Sequence, residues 1–251
     1  MKVLTARLDS IGDVLLTGPA VRAIAEHADR VWMLCGPQGA PAAHVLPGVD
    51  RVVTWAAAWI SNPPPRITPW DVQGLIDRIS AYRPDRAVIF TSFHQSPLPL
   101  AMLLRLAGVR HITGVSTDYA GSLLDVRLTP GKDLEENQPE ALRAIAIAAA
   151  AGFPAPRDDR LQVDLKHFPS GRRVLPGPYV VVHPGADAPA RRWPAEHYRS
   201  LVTELARRGW RVVVTGSRSE TILTSWVAGT SGVDYGGRTS LADLAHILKG
   251  A

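Results

Sequence analysis

Apolar positions along the chain change repeatedly between a strand-like run and a helix-like period, and this alternation predicts strands followed by helices. The first segment predicts a strand at Val3–Ala6, a polar loop at Asp9–Asp13, an apolar-periodic helix to His27 and a strand at Arg30–Cys35. Short apolar runs are typical of buried strands, and an apolar period near 3.6 residues is typical of a helix. The order is that of a βαβ unit.

The same alternation continues through the first two thirds of the chain. Further predicted strands lie at Arg51–Thr54, Arg86–Phe90 and His111–Val115, and further predicted helices at Pro69–Tyr82, Leu98–Ala107 and Pro139–Ala151. Strands that alternate with helices predict a parallel sheet covered on both faces. A doubly wound α/β domain over residues 1–165 is expected.

A second βαβ pattern follows a segment rich in proline and glycine. We predict a linker at 166–177, a strand at Tyr179–Val182, a helix at Pro194–Arg208 and a strand at Arg211–Thr215. The buried face of that helix is predicted from its i, i+4 apolar spacing, which comprises Trp193, His197, Leu201 and Leu205. Residues 178–251 therefore form a second Rossmann-like unit, and a ligand held between the two units is expected.

Composition narrows the class of protein. Apolar residues make up 46% and charged residues 20% of the 251 positions, as in ordinary soluble domains. No apolar run approaches the about 18 residues of a transmembrane helix, and the amino terminus does not resemble a secretory leader, so a cytoplasmic protein is expected. Cys35 is the only cysteine, which excludes a disulfide framework and predicts a small buried side chain.

Positive charge is concentrated in the last third of the chain. Residues 1–165 hold 16 Lys and Arg against 17 Asp and Glu, whereas residues 166–251 hold 12 against 6. A basic half suits an anionic ligand such as a diphosphate, although a solvated basic face would give the same count. The basic residues are not interleaved with stacking aromatics, so no nucleic-acid partner is predicted.

Several common site motifs are missing from the sequence. Neither strand-to-helix loop has the G-x-G-x-x-G of dinucleotide-binding domains or the G-x-x-x-x-G-K-[ST] of a P-loop. The sequence also has no D-x-D triplet and no H-E-x-x-H. We therefore predict no cofactor and no metal.

The loop after the first strand is the first candidate site, because open α/β sheets bind ligands at the carboxyl ends of their strands. Its two candidate residues are Gly12 and Asp13. Each has a competing structural interpretation: Asp13 as the N-cap of the helix, and Gly12 as a turn residue with positive φ. Pro19 indicates either a kink in the helix or a start near Thr17.

The loops after the two predicted strands of the second unit supply the other candidate sites. The first, at 183–194, combines Gly185, Ala186, Arg191 and Arg192 ahead of a helix, an arrangement that favours an anion. An exposed basic loop is the alternative. The second holds Gly216 and Glu220, and Glu220 either binds ribose hydroxyls or complements the helix dipole.

Four motifs in a fixed order carry a family resemblance. They are R-x-D-x-I-G-D-V-L-L-T-x-P, then H-P-G-A with R-R-W-P, then T-G-x-x-x-E, then G-x-T-S-L-x-D-L. Because the four motifs occur in this order, the chain resembles the ADP-heptose:lipopolysaccharide heptosyltransferase family, glycosyltransferase family nine. The resemblance implies a GT-B fold of two Rossmann-like domains, an acceptor-binding one followed by a nucleotide-sugar-binding one.

The resemblance also implies roles for single residues. The general base of the family falls on Asp13, and its phosphate loop falls on Gly185 and Ala186. Its diphosphate-binding lysine falls on Arg191, which keeps the charge but replaces a point charge by a planar fork. The remaining donor contacts fall on Glu220 for ribose and on the nucleobase-side residues Thr239 and Leu241.

The implied activity is inverting, metal-independent transfer of a heptose-like sugar from a nucleotide-diphosphate donor, ADP-linked in this family, to a glycan or glycolipid acceptor. Peripheral contact with the inner membrane face is compatible with such an acceptor. Family members continue past the position of Ala251 into a D-[ST]-G-P-x-H loop, so we expect an incomplete second domain. Residues 178–251 are expected to be mobile, stabilised by a partner or prone to associate, and these 251 residues alone are expected not to perform transfer. The alternatives are a non-catalytic nucleotide-sugar or anion-binding module and another GT-B enzyme, such as a sugar-nucleotide epimerase.

Overall fold

The chain forms two compact units, Met1–Asp164 and Leu165–Ala251. The computed structural model describes residues 1–92, 95–168 and 176–251. Most of the predicted linker, residues 169–175, lies outside that part of the chain. Each unit is an α/β arrangement around its own parallel sheet, which confirms the predicted fold class.

The first unit is built on six parallel strands in the order β3-β2-β1-β4-β5-β6. The strands are β1 Lys2–Arg7, β2 Arg30–Cys35, β3 Arg51–Thr54, β4 Arg86–Ile89, β5 His111–Val115 and β6 Val126–Leu128. The helices are α1 Ile11–Leu16, α2 Gly18–Ala25, α3 Ala40–Val45, α4 Pro69–Tyr82, α5 Leu98–Leu106 and α6 Glu140–Ala150. Sequence periodicity missed only the two short elements α3 and β6.

Both faces of this sheet are covered, as its nearly continuous apolar strands require. On one face, Leu75 and Ile79 of α4 and Leu100 and Leu104 of α5 pack against the sheet and are at most 1% exposed. Helices α2 and α6 contact each other on the opposite side. The strand order reverses between β1 and β4, so the carboxyl ends of these two strands flank the crevice where doubly wound sheets bind ligands.

The helical stretch after β1 is two helices rather than one. Ser10 caps α1, whose last residue is Leu16, and α2 starts at Gly18 with Pro19 in its first turn. Pro19 lacks an N–H, and the first turn of a helix leaves that group without a partner in any case. A helix therefore starts next to Thr17, as one of the two predictions had it, but the separate helix α1 that precedes it was not predicted.

The second unit has three parallel strands in the order β7-β8-β9. Its elements are β7 Tyr179–Val182, α7 Ala195–Arg207, β8 Arg211–Val214, α8 Thr221–Ala228, β9 Val233–Asp234 and α9 Leu241–Lys249. Val202 of α7 and Val227 of α8 pack on one face of the sheet, and Ile247 of α9 packs on the other. This unit also has the layered arrangement of an α/β fold.

The predicted buried face of α7 is correct at Leu205 and wrong at Trp193, His197 and Leu201, which are exposed. Tyr198, Val202 and Leu205 face the sheet, whereas Trp193 and Leu201 are 49% and 39% exposed. The apolar spacing of α7 is compatible with either of two neighbouring faces of the helix. The valines of the strands pack against the face that carries the compact, fully buried Val202. Trp193 instead stacks on His197 with ring centres 5.0 Å apart.

None of the helices in the described ranges is both long and apolar enough to cross a membrane.

Candidate functional site

A buried arginine organises the carboxyl end of β1. The Arg7 side chain is 1% exposed. Its Nε donates to Asp9 Oδ1 at 2.6 Å, its Nη1 to Glu140 Oε1 at 2.8 Å, and its Nη2 to Ser92 Oγ at 2.7 Å and Asp13 Oδ1 at 3.2 Å. These five residues are called the Arg7 cluster below.

The cluster joins parts of the chain that only the sheet topology brings together. Arg7 ends β1, Ser92 follows the neighbouring strand β4, and Glu140 lies in the first turn of α6. Ser92 Oγ also donates to Asp9 Oδ2 at 2.7 Å. The cluster therefore lies at the point where the strand order reverses.

Three carboxylates surround the guanidinium of Arg7, and they determine its protonation state. Burial alone would lower the pKa of Arg7, because a charged group loses hydration. The nearby carboxylates of Asp9, Glu140 and Asp13 outweigh that effect and raise the pKa of Arg7. The guanidinium is thus a permanent cation inside an acidic surrounding.

Asp13 is not the N-cap of α1, so that structural interpretation is wrong. Ser10 is the N-cap, and Asp13 is the third helical residue of a capping box. Asp13 Oδ2 accepts from Ser10 Oγ at 2.6 Å and from Ser10 N at 3.2 Å, while Oδ1 accepts from Arg7. The side chain remains 30% exposed, so it is both held in place and open to solvent.

Gly12 does not have the positive φ that the turn interpretation required, because it lies inside α1. A Cβ placed on Gly12 would come no closer than 3.9 Å to any neighbouring atom, Ser10 Oγ being the nearest. The fold of this unit therefore does not require glycine at position 12.

In the second unit, the loops that follow the three strands converge. His183, after β7, has its Nδ1 3.0 Å from Oγ1 of Thr215, which follows β8. Gly237, after β9, donates its N–H to the carbonyl oxygen of Gly216 at 2.9 Å. The carboxyl ends of β7, β8 and β9 therefore form one edge, where parallel sheets bind ligands.

The Glu220 carboxylate lies directly over Gly185. A Cβ on Gly185 would be 1.9 Å from Glu220 Oε1, and a Cβ on Gly216 would be 2.5 Å from Thr224 Cγ2. Glycine at these two positions gives the carboxylate and helix α8 room to approach the loops. The predicted pair Gly185 and Glu220 is brought together by the fold.

Hydrogen bonds hold this carboxylate in its ionised form. Glu220 Oε2 accepts from both the N and the Oγ of Ser217 at 2.8 Å. Partial burial tends to raise the pKa of Glu220, but these two hydrogen bonds, together with the electrostatic effect of the neighbouring His183 and Arg192, lower it overall.

The two adjacent arginines have different environments. Arg192 Nε donates to the carbonyl oxygen of Ala186 at 2.7 Å, which ties the two ends of the 183–194 loop together. The exposed Arg191 side chain has no hydrogen-bond or ion-pair partner in the part of the chain that the structure describes. Arg191 is thus the arginine that is available to a ligand.

Thr239 and Leu241 lie on the loop after β9 and at the start of α9. Ser240 between them caps that helix in a capping box with Asp243. Both residues are partly buried on the loop that Gly237 joins to Gly216. The structure places them at the same edge as Glu220.

Sequence reasoning missed Arg7, Ser92 and Glu140, and also Ser217. The capping-box pattern, Ser followed three residues later by Asp or Glu, was a readable signal for Ser217 and for Ser10. No local pattern identifies Glu140 as a partner of Arg7, because the two residues are 133 positions apart.

Within the described ranges, no three histidine, cysteine, aspartate or glutamate side chains are arranged to hold a metal ion. The absence of a resident metal stays a prediction.

Replacing the buried arginine should strongly destabilise the first unit. We expect Arg7→Met to lower the free energy of unfolding by about 3 kcal/mol or more, since three carboxylates would lose their partner in a mostly buried site. Urea denaturation measures this change. The matched control is Arg30→Met, which removes an ion pair to Asp50 whose arginine side chain is 65% exposed and should cost less than about 1 kcal/mol. Equal effects would contradict the organising role of Arg7.

The lowered pKa of Glu220 predicts a pH-dependent contribution to stability. The ionised carboxylate stabilises the fold above its ordinary pKa of 4.5, and this contribution is lost as the pH falls through the lower folded value. Glu220→Gln keeps an acceptor but does not titrate. The unfolding free energy of the wild type should therefore exceed that of the variant at neutral pH, and the difference should shrink below about pH 4.5.

Urea denaturation at a series of pH values tests this. Glu196→Gln, in the exposed first turn of α7, controls for the loss of one negative charge. A Glu220→Gln difference that grew on acidification would contradict the stated sign.

The chain is similar to proteins of a known family. The family model described as "Glycosyltransferase family 9 (heptosyltransferase)" matches residues 93–251, more than half of the chain. No match was found among curated proteins.

Solved structures share the fold at low sequence identity. The E. coli ADP-heptose lps heptosyltransferase II is 22% identical with a TM-score of 0.74, covering 100% of this chain and 77% of its own. The E. coli heptosyltransferase WaaC with ADP-2-deoxy-2-fluoro heptose is 22% identical with a TM-score of 0.75, covering 100% of this chain and 81% of its own. A family 9 glycosyl transferase from Veillonella parvula DSM 2008 is 14% identical with a TM-score of 0.72, covering 98% and 72%.

Proposed function

This chain belongs to glycosyltransferase family 9, the heptosyltransferases, and from that premise we propose which reaction it performs and with which residues. The proposed reaction transfers a heptose-like sugar from an ADP-linked donor to a hydroxyl of a glycan or glycolipid acceptor, with inversion at the anomeric carbon and without a metal.

The observation that carries the proposal is the combination of fixed position and solvent exposure at the Asp13 carboxylate. It is fixed by Ser10 and Arg7 on both oxygens yet remains 30% exposed at the carboxyl end of β1. A general base must be pre-positioned and must also reach the proton that it takes. Residues 1–92 lie outside the family match, so the role of Asp13 rests on this geometry and on its place in the amino-terminal motif.

In the proposed step, Asp13 takes the proton of an acceptor hydroxyl as its oxygen attacks the anomeric carbon. The new C–O bond forms while the bond to the diphosphate breaks, and the electron pair leaves with the diphosphate. Attack opposite the leaving group inverts the configuration. Such general-base catalysis contributes about 10²–10⁴-fold in rate.

The second unit is proposed to bind the donor. Exposed Arg191 and the backbone amides of Gly185 and Ala186 would stabilise the growing charge on the diphosphate, an electrostatic role that fixed donors perform well. Glu220, kept ionised beside Gly185, would accept hydrogen bonds from the ribose hydroxyls. Thr239 and Leu241 would lie on the nucleobase side, with Gly216 keeping the loop close.

The identity of the donor is proposed from the fold neighbours. E. coli WaaC was solved with ADP and with ADP-2-deoxy-2-fluoro heptose, and we extend this ligand class to the present chain.

The metal-free mechanism is supported by the lack of a D-x-D triplet in the sequence, and unchanged transfer in excess EDTA would agree with it. A cytoplasmic location with peripheral contact to the inner membrane face belongs to the same proposal.

Asp13→Asn should abolish transfer with little effect on folding. The amide oxygen can still accept from Ser10 in the capping box, so the unfolding free energy should change by less than the about 1 kcal/mol typical of a lost cap. In a full-length version of the enzyme, transfer from ADP-heptose to a heptose-deficient lipopolysaccharide core, measured as ADP release, should fall at least about 10²-fold. Turnover near that of the wild type would end the role of Asp13 as base.

Arg191→Ala should weaken ADP binding more than Arg192→Ala does, because Arg192 is already bonded to Ala186 whereas Arg191 is available. Loss of a charge-assisted contact corresponds to about tenfold or more in Kd. Isothermal titration with ADP measures both variants, and each serves as the charge-matched control of the other. Equal losses would mean that the diphosphate contact is assigned to the wrong arginine.

A further inference from the structure

A cavity in the first unit lies at the amino ends of β4 and β5, on the edge of the sheet opposite to the Arg7 cluster. It is formed by the turn from α4 into β4 and the turn from α5 into β5, and its polar or glycine lining comprises Ser80, Arg83, Asp85, Gly108 and Arg110. Its volume is about 630 Å³, which is within the range of small-molecule sites. Because β1 has six residues, the two edges are about 20 Å apart. This space is called the basal cavity below.

Two arginines of the basal cavity have no partner of their own. The exposed side chains of Arg83 and Arg110 have no hydrogen bond or ion pair within the part of the chain that the structure describes. Asp85 is the one carboxylate among the described lining residues, and its Oδ2 already accepts from the backbone N of Lys2 at 2.7 Å. Two cations against one anion leave the lining with a net positive charge and two available guanidinium groups.

The backbone of Arg83 has a conformation that residues with a side chain rarely adopt. Arg83 ends α4 with φ 54° and ψ 63°, and within the described ranges it is the one residue other than glycine with positive φ. At the carboxyl ends of α5, α6 and α7 this conformation belongs to Gly108, Gly152 and Gly209. An arginine is strained there, because its Cβ approaches the following carbonyl oxygen. Such strain is found mainly at functional sites, and it favours a role for the Arg83 side chain.

The backbone that carries Arg110 is fixed by another arginine. Arg105 Nη1 donates to the carbonyl oxygens of Val109 at 3.1 Å and Arg110 at 2.6 Å, and Arg105 Nη2 donates to Asp125 Oδ2 at 2.6 Å. The turn into β5 is therefore held by Arg105, while the Arg110 side chain stays available. A ligand bound by Arg110 would not have to order this turn, which lowers the entropic cost of binding.

The floor of the basal cavity is firm and open. Ser80 Oγ donates to the carbonyl oxygen of Ala107 at 3.0 Å, which joins the ends of α4 and α5. A Cβ placed on Gly108 would have no atom within 4 Å, so there is free space above this residue. The cavity can therefore receive a ligand without a rearrangement of the two helices.

The lining favours a phosphate group over a nucleobase. None of its described residues is aromatic, and its apolar surface is limited to Pro84 and Ala107. A guanidinium group is a planar fork that binds two oxygens of a phosphate or carboxylate at once. Two such forks in one cavity match the several anionic oxygens of a phosphate better than the two oxygens of a carboxylate.

We propose that the basal cavity is a second anion site, which binds a phosphate group through Arg83 and Arg110. The phosphate belongs either to a free phosphorylated compound or to the headgroup of an anionic lipid, since both offer the same oxygens. The site is separate from Asp13 and from the 183–194 loop, so the inference does not depend on the proposed transfer reaction.

The test reads the basal cavity by individual residues. Amide ¹H–¹⁵N spectra of the 251-residue chain are recorded during titration with sodium phosphate and, at matched ionic strength, with sodium chloride. We expect saturable shifts of the Gly108 and Arg110 signals with phosphate and none with chloride. Because signals are resolved by residue, phosphate bound at Gly185 in the second unit is observed separately.

Two variants and a control assign the binding to the arginines. Arg83→Gly and Arg110→Ala should each raise the Kd for phosphate about tenfold or more, since each loses a charge-assisted contact. Glycine adopts the left-handed conformation freely, so Arg83→Gly should at the same time raise the midpoint of urea denaturation. Arg66→Ala removes an exposed arginine before the opposite end of α4 and should leave the Kd unchanged.

Absence of saturable shifts at Gly108 and Arg110, equal shifts with chloride, or an unchanged Kd in both variants would overturn the inference. Weaker phosphate binding in both variants, with the Arg66→Ala control unchanged, supports it. Should Arg83→Gly fail to fold, the Kd of Arg110→Ala decides the outcome.

Vesicles identify the source of the phosphate group. Co-sedimentation with phosphatidylglycerol vesicles, compared with phosphatidylcholine vesicles, is measured for the wild type and both variants. Sedimentation with phosphatidylglycerol that falls in Arg83→Gly and Arg110→Ala supports a lipid headgroup as the ligand. Sedimentation that is equal in all three proteins, together with the phosphate shifts, supports a free phosphorylated compound.

Discussion

The burial of one guanidinium is the constraint on which the first unit depends. A charged group excluded from water must be paired, and Arg7 at the end of β1 finds its partners on three separate segments. Pairing Glu140 fixes the start of α6 against β1, and pairing Ser92 fixes the loop after β4. The carboxylate of Asp13 is held by the same network, so its position is a consequence of how the domain closes around a buried charge.

The second unit reaches a similar result by a different physical route. There, a carboxylate is brought close to a loop by the absence of a side chain, since Glu220 occupies the space that a Cβ on Gly185 would need. Its ionised form is maintained by Ser217 rather than by a buried arginine. The carboxylate of the first unit is thus fixed by an ion pair in addition to local hydrogen bonds, and that of the second by local hydrogen bonds and steric clearance.

Both candidate carboxylates belong to capping boxes that follow a parallel strand. Ser10 with Asp13 and Ser217 with Glu220 share this pattern, and Ser240 with Asp243 repeats it after β9. A capping box satisfies orphan backbone N–H groups and at the same time places a carboxylate at the carboxyl edge of the sheet. The structural and chemical roles of Asp13 are therefore compatible, because the cap supplies the rigidity that a base requires.

The sequence by itself determined most of the secondary structure and the class of fold. The apolar runs at Arg30–Cys35 and Tyr179–Val182 gave strands with the predicted bounds, because local periodicity directly reflects burial on a strand or helix. The motifs also placed Gly185 on a strand-to-helix loop, whereas Asp13 and Glu220 lie in the first helical turn that follows such a loop. Only the tertiary structure decided which face of α7 is buried and that Arg7 is paired with Glu140, 133 positions away. Those features depend on contacts between segments distant in the chain, and local sequence patterns do not encode the register in which such segments meet.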